Sequence, residues 1–182
     1  MRFQIRNIVK EEAVKRLLND EVDMLIYSMK LNEIPSELEF IPIVEYKPIL
    51  LMRKNHALSK KKKVTMSDIK RYKLLRLDNK FITIPNFDEV AKHYDLKTKI
   101  EFEMANYEIL KKFVKEDVGI AILSSICLEG EEASEFVSKD LTHYFSGVLY
   151  GILIKKSKAP HGLLKNFINL MQAERLLRAQ IG

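Results

Sequence analysis

The chain has 182 residues, of which 47% are apolar and 31% are charged, and its formal net charge is +6. This composition is ordinary for a globular protein with a sizeable core, and the length suits one large domain or two small lobes. No apolar run approaches the roughly twenty residues of a membrane-spanning helix, and the N-terminal MRFQIRN lacks the apolar segment of a signal peptide. We therefore expect a cytoplasmic protein without a membrane partner. The single cysteine, Cys127, excludes an internal disulfide framework and a cysteine metal cluster, and we expect a packed, inert thiol.

The first 28 residues contain strand, helix and strand patterns in turn. Residues 3–8 nearly alternate, residues 13–18 repeat apolar positions at helical spacing, and residues 22–26 form a short apolar run. This order predicts a βαβ unit with a parallel strand pair. Tyr27 and Ser28 follow the second strand, where open α/β sheets bind small ligands, so Ser28 is a candidate hydroxyl donor. An ordinary loop serine is the alternative interpretation.

The next part of the chain contains two extended segments and a basic loop. Residues 40–44 and 48–52 have the pattern of short extended segments, and the lysine run 60–63 predicts a solvated loop. We favour a loop over a DNA contact because no aromatic residue that could stack on bases is interleaved with the run. Thr65 and Asp68 have the spacing of an approximate capping box, which predicts a short helix.

A second group of strands and helices follows. Residues 74–77 have the pattern of a strand, and the apolar positions of residues 87–94 predict a helix that begins at Asn86 or Pro85. Alternating residues 99–103 predict another strand.

Residues 106–125 join a polar cap, an amphipathic helix and a buried strand. The spacing predicts Ile109 on the apolar face of the helix and Lys111 on the polar face. Residues 119–123 are apolar throughout, which favours a parallel core strand covered on both faces. Asn106 can cap the helix, whose N-terminal end favours anions, so the pattern fits a cap alone or a cap that also binds a ligand.

The C-terminal part returns the chain to the first group. Residues 147–154 predict an apolar strand that is followed by a long amphipathic helix. Two strand–helix groups joined by extended segments predict an α/β protein with two lobes, lobe I from residues 1–46 plus about 146–182 and lobe II from residues 47–145. We expect a small polar ligand in the cleft between the lobes.

Motifs for catalysis and for cofactors are absent from the sequence. There is no GxGxxG, GxxxxGK[ST] or HExxH pattern, and the four histidines are scattered over predicted loops and helix surfaces. Adjacent carboxylates such as Glu11 and Glu12 point in different directions on a helix, so they do not form an acid/base pair. We therefore predict a protein that is not an enzyme and has no cofactor and no metal.

Several segments in combination resemble the effector-binding domain of LysR-type transcriptional regulators, most closely the CysB-like branch. They are EAVKRLLNDEVDMLIYS (12–28), LEFIPIVEYKPILLMRKNHALS (38–59), VTMSDIKRYKLLRL (64–77), ILKKFVKEDVGIAILSS (109–125) and LYGILIKKS (149–157). The resemblance implies a two-lobed fold like a type 2 periplasmic binding protein, with mixed sheets, flanking helices and a small inducer in the cleft. It also implies a homodimer or tetramer on promoter DNA. For CysB-like members the implied inducers are acetylserines, and sulfate or thiosulfate can occupy the same site.

The same resemblance carries site residues across only in part. Ser28 matches a hydroxyl residue of the family, whereas Ala105 stands where the family has a hydroxyl ahead of a helix, with Asn106 beside it. The family's Gly-rich loop aligns with residues 78–85, where Thr83 is the one hydroxyl and no glycine remains. The predicted effector-binding residues are therefore Tyr27, Ser28, Thr83, Ala105 and Asn106.

Two further expectations concern the ends of the chain and the competing functions. Family members begin with a winged helix-turn-helix, a strand and a helix that the resemblance places before residue 1, so promoter DNA is an expected partner only through that missing domain. A stand-alone solute-binding protein of a transporter is the alternative, and it would require an export signal. A small transferase or dehydratase on the same fold would require an acid/base set that the sequence lacks.

Overall fold

The computed structural model describes residues 4–6, 8, 10–28, 34–78, 84–96, 100–128, 134–158 and 160–181. The chain divides into two compact units. Unit 1 comprises Met1–Glu45 and Leu149–Gly182, and unit 2 comprises Tyr46–Val148. Within the ranges described, no helix is long and apolar enough to cross a membrane.

The described residues form five α-helices and eight β-strands. Helices α1 to α5 are Lys10–Leu18, Met66–Ile69, Phe87–His93, Tyr107–Lys115 and Gly162–Ile181. Strands β1 to β8 are Leu25–Ser28, Leu38–Tyr46, Pro48–Arg53, Leu74–Leu77, Ile100–Met104, Ile120–Ser124, Phe136–Asp140 and Val148–Lys155. Short 3-10 helices occupy Ala57–Lys60 and Ser125–Leu128. The helices and strands predicted from residue 40 onwards are confirmed, and β7 adds a strand where the sequence indicated only a short polar-flanked segment.

Unit 1 contains a three-stranded sheet in the order β1-β8-β2. One of its faces packs on α1 through a cluster centred on Leu17 and Leu153, and the other face packs on α5 through Ile152 and Ile168. Strand alternation places neighbouring residues of β8 on these opposite faces, so the strand is covered on both sides.

The predicted parallel βαβ pair at the start of the chain is wrong for the described residues. Residues 4–6 and 8 lie in no strand, and β1 runs antiparallel to β8, with Ser28 opposite Tyr150. An alternating pattern shows that a segment suits an extended conformation, but a strand forms only where a partner and a buried face exist. Ile5 is 92% exposed, so no burial favours a strand there.

Unit 2 contains a five-stranded mixed sheet in the order β5-β4-β6-β3-β7. β4 runs parallel to both β5 and β6, whereas β3 runs antiparallel to β6 and β7. The predicted parallel core strand is therefore parallel on one side only. Its predicted burial is confirmed, because Ile120 and Ile122 pack on one face of the sheet and Ala121 and Leu123 on the other.

Two local predictions about helix starts have different outcomes. Thr65 caps α2 in a complete capping box with Asp68, as the spacing predicts. Asn86 precedes α3 but does not cap it, because it adopts a left-handed conformation (φ 56°) and its side chain accepts a hydrogen bond from the backbone N–H of Ser146 (3.1 Å). The carboxamide thus ties two distant segments of unit 2 together instead of closing its own helix.

Candidate functional site

The carboxyl ends of β4 and β5 lie side by side at one edge of the unit 2 sheet. Leu77 and Met104 are register partners in this parallel pair, and the N–H of Asp78 donates to the carbonyl of Met104 at 2.9 Å. Ala105 and Asn106, which follow β5, are therefore held at the edge where parallel α/β sheets bind small ligands. Both residues are exposed.

Asn106 is the N-cap of α4. Its side-chain oxygen accepts hydrogen bonds from the N–H groups of Glu108 (2.7 Å) and Ile109 (3.4 Å). The carboxamide oxygen is thus engaged by the helix, while the amide nitrogen of the same side chain is a donor. The predicted cap is confirmed, and it leaves a polar donor group at the positive end of the helix dipole.

The carboxylate of Glu108 near the start of α4 is balanced by Lys111 of the same helix. Lys111 Nζ lies 2.8 Å from the Glu108 carboxylate and 5.4 Å from the ring centroid of Tyr107. The prediction that Lys111 lies on the polar face is wrong, because the residue is only 6% exposed, whereas Ile109 is 50% exposed. A lysine stem packs readily on apolar surface while its ammonium group reaches a carboxylate, so spacing alone misassigned these two residues. The predicted apolar positions Leu110 and Val114 are fully buried.

Ser124 at the carboxyl end of β6 was not among the predicted site residues. Its hydroxyl is buried, and within the described part of the chain it has no hydrogen-bond partner. Because β6 is parallel to β4, Ser124 lies at the same edge of the sheet as Leu77 and Met104. The signal in the sequence was the same as for Ser28, namely a serine directly after an apolar strand-length run.

Unit 1 supplies the other predicted site residues. Ser28 ends β1 and is half-buried, and Tyr27 packs against the cluster that contains Leu17 and Leu25. Since successive side chains of a strand point to opposite faces, Ser28 faces away from that cluster. Thr83 and most of the loop after β4 lie outside the described residues.

Other groups in the described residues do not form a reactive centre. No group of three or more His, Cys, Asp or Glu residues that could hold a metal occurs in the described ranges. Cys127 is buried, and burial raises the pKa of its thiol to about 11, so the thiol stays protonated near neutral pH. His56 is also buried, contrary to the expected surface position, and accepts a hydrogen bond from the N–H of Leu58 at its Nδ1 atom (3.2 Å).

The fold of the chain and its match to a protein family identify the class of protein to which it belongs. The chain has the α/β fold of type 2 periplasmic binding proteins, with mixed sheets and flanking helices. The chain belongs to the LysR substrate binding domain family, whose model matches residues 1–175. The family is one of transcriptional regulators and is not enzymatic, which confirms the predicted family and the absence of an enzymatic activity.

Curated relatives of the chain are transcriptional regulators. The chain is 22% identical over 173 residues to the HTH-type transcriptional regulator Cbl of Klebsiella aerogenes, covering 95% of this chain and 54% of the relative. It is 18% identical over 146 residues to the HTH-type transcriptional regulator SsuR of Burkholderia cenocepacia, covering 80% of this chain and 47% of that protein. The chain therefore spans about half the length of these relatives. A transporter's solute-binding protein, the alternative function, is not favoured by these matches.

Solved structures share the fold at low sequence identity. The cofactor-binding domain of the Cbl transcriptional regulator superposes with a TM-score of 0.72 at 19% identity, covering 93% of this chain and 76% of that one. The Synechocystis CcmR regulatory domain, solved in complex with 2-PG, superposes with a TM-score of 0.70 at 19% identity, covering 91% and 79% of the two chains. The effector binding domain of QuiR in complex with shikimate superposes equally well at 17% identity, covering 91% and 77%.

Proposed function

We propose that this chain is the small-molecule effector-sensing and oligomerisation domain of a LysR-type transcriptional regulator. It binds a small anionic or polar metabolite, such as an acetylserine or sulfate, and the bound state changes how the subunits of a cytoplasmic dimer or tetramer assemble. This change alters promoter binding by the helix-turn-helix of the whole regulator. The mechanism is a shift between populated states and includes no chemical step.

The observation that carries this proposal is the edge of unit 2 at which the carboxyl ends of β4 and β5 meet the N-terminus of α4. Polar side chains and a helix N-terminus at such an edge suit a small polar or anionic ligand. The pairing of Glu108 with Lys111 supports an anion there, because the carboxylate nearest the helix start is already balanced by a cation 2.8 Å away.

The proposed contacts differ in kind between the residues. Ser28 contributes a hydroxyl and Asn106 a carboxamide, whereas Ala105 contributes only its backbone. Tyr27 holds the end of β1 by packing against the unit 1 core, and Thr83 is the one hydroxyl of the loop after β4. Because Ala105 has no hydroxyl and residues 78–85 contain no glycine, fewer donors and less backbone approach remain, so we expect acetylserines and sulfate to bind more weakly here than in CysB-like proteins.

Isothermal titration calorimetry with sulfate and with acetylserines tests the proposal. We expect Ser28→Ala to weaken binding about tenfold, which corresponds to the roughly 1.4 kcal/mol of one good hydrogen bond to a charged ligand. Asn106→Ser keeps a strong N-cap but removes the carboxamide, so a loss of affinity in this variant identifies a ligand contact and not a fraying helix. Ser36→Ala, at an exposed turn position of unit 1, is the matched serine control.

Two results would contradict the assignment. Unchanged affinity in both Ser28→Ala and Asn106→Ser would remove these residues from the site. Absence of heat and of any rise in melting temperature with these ligands and with a panel of small carboxylates and phosphates would count against the effector-sensing function itself.

A further inference from the structure

The positive charge of the chain is concentrated in one segment of unit 2. Residues 53–73 contain nine Lys and Arg residues and one acidic residue, Asp68, which is a net charge of +8. The whole chain carries +6, so all other residues together sum to −2. We call residues 53–73 the basic edge.

The topology of unit 2 brings this segment to one edge of the sheet. β3 ends at Arg53, β4 begins after Lys73, and β6 begins after Gly119. These three strand ends coincide because β3 is antiparallel and β4 parallel to β6. Two contacts fix the edge: Arg53 lies 2.8 Å from the Asp117 carboxylate, and the N–H of Ile120 donates to the carbonyl of Lys73 at 3.0 Å. Asn106 lies at the opposite edge of the same sheet, where β4 and β5 end.

The residues that flank the lysine run 60–63 are buried in the core, whereas the lysine side chains are exposed. Leu58 and Val64, which flank the lysine run, are 3% and 2% exposed in the unit 2 core, and the Thr65–Asp68 capping box closes the loop. Lys54, Arg71 and all of the run 60–63 are exposed. Because their backbone is held by the core, these cations project from a fixed surface and are not carried on a loose tail.

Carboxylates compensate only part of this charge. Lys61 pairs with Asp68, Lys70 with Asp95 and Lys73 with Glu101, at distances of 2.6 to 3.0 Å between nitrogen and oxygen. Asp117, which pairs with Arg53, is a further carboxylate from outside the segment, and together with Asp95 and Glu101 it reduces the net charge at the basic edge from +8 to +5. A net positive charge therefore remains to attract an anionic partner.

We propose that the basic edge is a second, sequence-independent DNA contact of the regulator, which binds the phosphate backbone of duplex DNA. Lysine ammonium groups on flexible stems suit phosphates as point charges and release condensed counterions when they bind. Base recognition is not part of this contact. The isolated lysine run predicted only a solvated loop, and the structure adds the five further cations of the segment at the same edge.

Two features favour duplex DNA over other anionic partners. The aromatic ring of the segment, Tyr72, packs edge-on against His56 with centroids 4.5 Å apart, so it is engaged in the core and is not free to stack on the bases of a single strand. None of the large apolar side chains exposed in the described residues lies in the basic edge, whereas a stable protein interface needs an apolar or aromatic centre.

Fluorescence anisotropy of a labelled duplex of arbitrary sequence, titrated with the 182-residue chain, tests the proposal. In one variant Lys60, Lys62 and Lys63 are replaced by Gln, and in the matched control Lys15, Lys47 and Lys165 are replaced by Gln. All six lysines are exposed, and both variants lose three of the same charges. Equal melting temperatures of the two variants show that both are folded.

We expect the basic-edge variant to bind at least about tenfold more weakly than the parent at about 50 mM salt, and the control variant less than about threefold more weakly. The slope of log K against log salt falls by about 0.9 for each phosphate that the basic-edge variant no longer binds, and by less in the control. Equal weakening in the two variants would show that net charge alone drives binding and would overturn the proposal. Failure of the parent chain to bind duplex at this salt would overturn it as well.

A competition experiment separates duplex DNA from an acidic protein. Tighter binding of poly-L-glutamate than of duplex, at equal concentration of negative charge, would overturn the DNA assignment in favour of an acidic polypeptide. Effector titrations measure the opposite edge of the sheet, so a failure of the proposed effector function would leave the anisotropy result unchanged, and the two proposals fail separately.

Discussion

Thr65 and Asp68 form reciprocal hydrogen bonds at the start of α2. The N–H of Asp68 donates to the Thr65 hydroxyl (3.3 Å), and the N–H of Thr65 donates to the Asp68 carboxylate (3.1 Å). Thr65→Ala removes the first of these bonds and also the bond that the Thr65 hydroxyl donates to the Asp68 carboxylate (2.9 Å). We expect a loss of about 1 kcal/mol of unfolding free energy. For a chain of this size the melting temperature falls by about 2–4 °C. Thr65→Ser keeps the hydroxyl, so equal melting temperatures for the Ala and Ser variants would contradict the cap.

Low pH should destabilise the protein at the same turn, because the Asp68 carboxylate becomes protonated. Hydrogen bonds from Lys61, and then from Thr65, lower the pKa of this carboxyl from 3.8 to about 2. A depressed folded-state pKa means that the stabilisation is complete above pH 3.8 and is lost as the pH falls from 3.8 to about 2. The urea midpoint of the wild type should therefore exceed that of Asp68→Asn at about pH 5, and the difference should shrink below about pH 4. A difference that stays constant down to about pH 2 would contradict the lowered pKa.

Lowering the pH from neutral to mildly acidic should destabilise the folded protein through His56. Burial lowers the pKa of this imidazole below 6.5, with a smaller opposing effect of Asp117. The unfolded chain takes up a proton near pH 6.5 while the folded chain does not, so stability falls as the pH falls from about 7 towards about 5. His56→Asn retains an acceptor for the N–H of Leu58 and cannot titrate. Urea midpoints of the variant should lack the pH slope of the wild type, and identical slopes would rule out His56 as the cause.

Local sequence patterns predicted the helices and strands of this fold better than they predicted which strands pair. The apolar run 119–123 and the polar residue Asn106 carry their information within a few positions, and the structure confirms the buried strand and the cap. The antiparallel pairing of β1 with β8 depends on a strand near the other end of the chain, which no local pattern contains. Pairing partners are chosen by burial in the assembled sheet, so the parallel pair that spacing alone predicted does not occur within the described residues.

Side-chain roles were harder to predict than elements. Asn86 stands where a helix begins, but its carboxamide binds the backbone of Ser146, sixty positions away in the chain. Lys111 follows the polar spacing of α4, but its stem is buried and its ammonium group meets Glu108. The Asn86 contact forms only when distant segments of unit 2 pack together. The Lys111–Glu108 pair lies within α4, but the burial of the Lys111 stem depends on the packing of the helix, so neither role follows from the local pattern alone.

Cys127 should be unreactive in the folded protein. Burial raises the pKa of its thiol to about 11, so at about pH 8 the reactive thiolate is about a thousandfold rarer than the thiol, and the sulfur is shielded as well. We expect Ellman's reagent to label the native chain slowly and the urea-unfolded chain rapidly, with one equivalent of thiol released. Rapid stoichiometric labelling of the native chain would contradict the buried thiol.

Gly119 allows β6 to approach β4. A Cβ atom at this position would lie 2.6 Å from the carbonyl oxygen of Lys73 and 3.2 Å from Leu75 Cγ. The same carbonyl accepts the hydrogen bond from Ile120 that joins the two strands (3.0 Å), so it cannot retreat without breaking the ladder. We therefore expect Gly119→Ala to cost about 1–3 kcal/mol, the usual range for overpacking.

Thermal unfolding followed by circular dichroism measures this effect. Ser138→Ala, at an exposed position of edge strand β7, is the control and should change the unfolding free energy by no more than about 0.5 kcal/mol. A melting temperature of Gly119→Ala equal to that of the control would mean that β4 moves away freely. In that event the hydrogen bond between Lys73 and Ile120, which also fixes one border of the basic edge, would not be a rigid feature of unit 2.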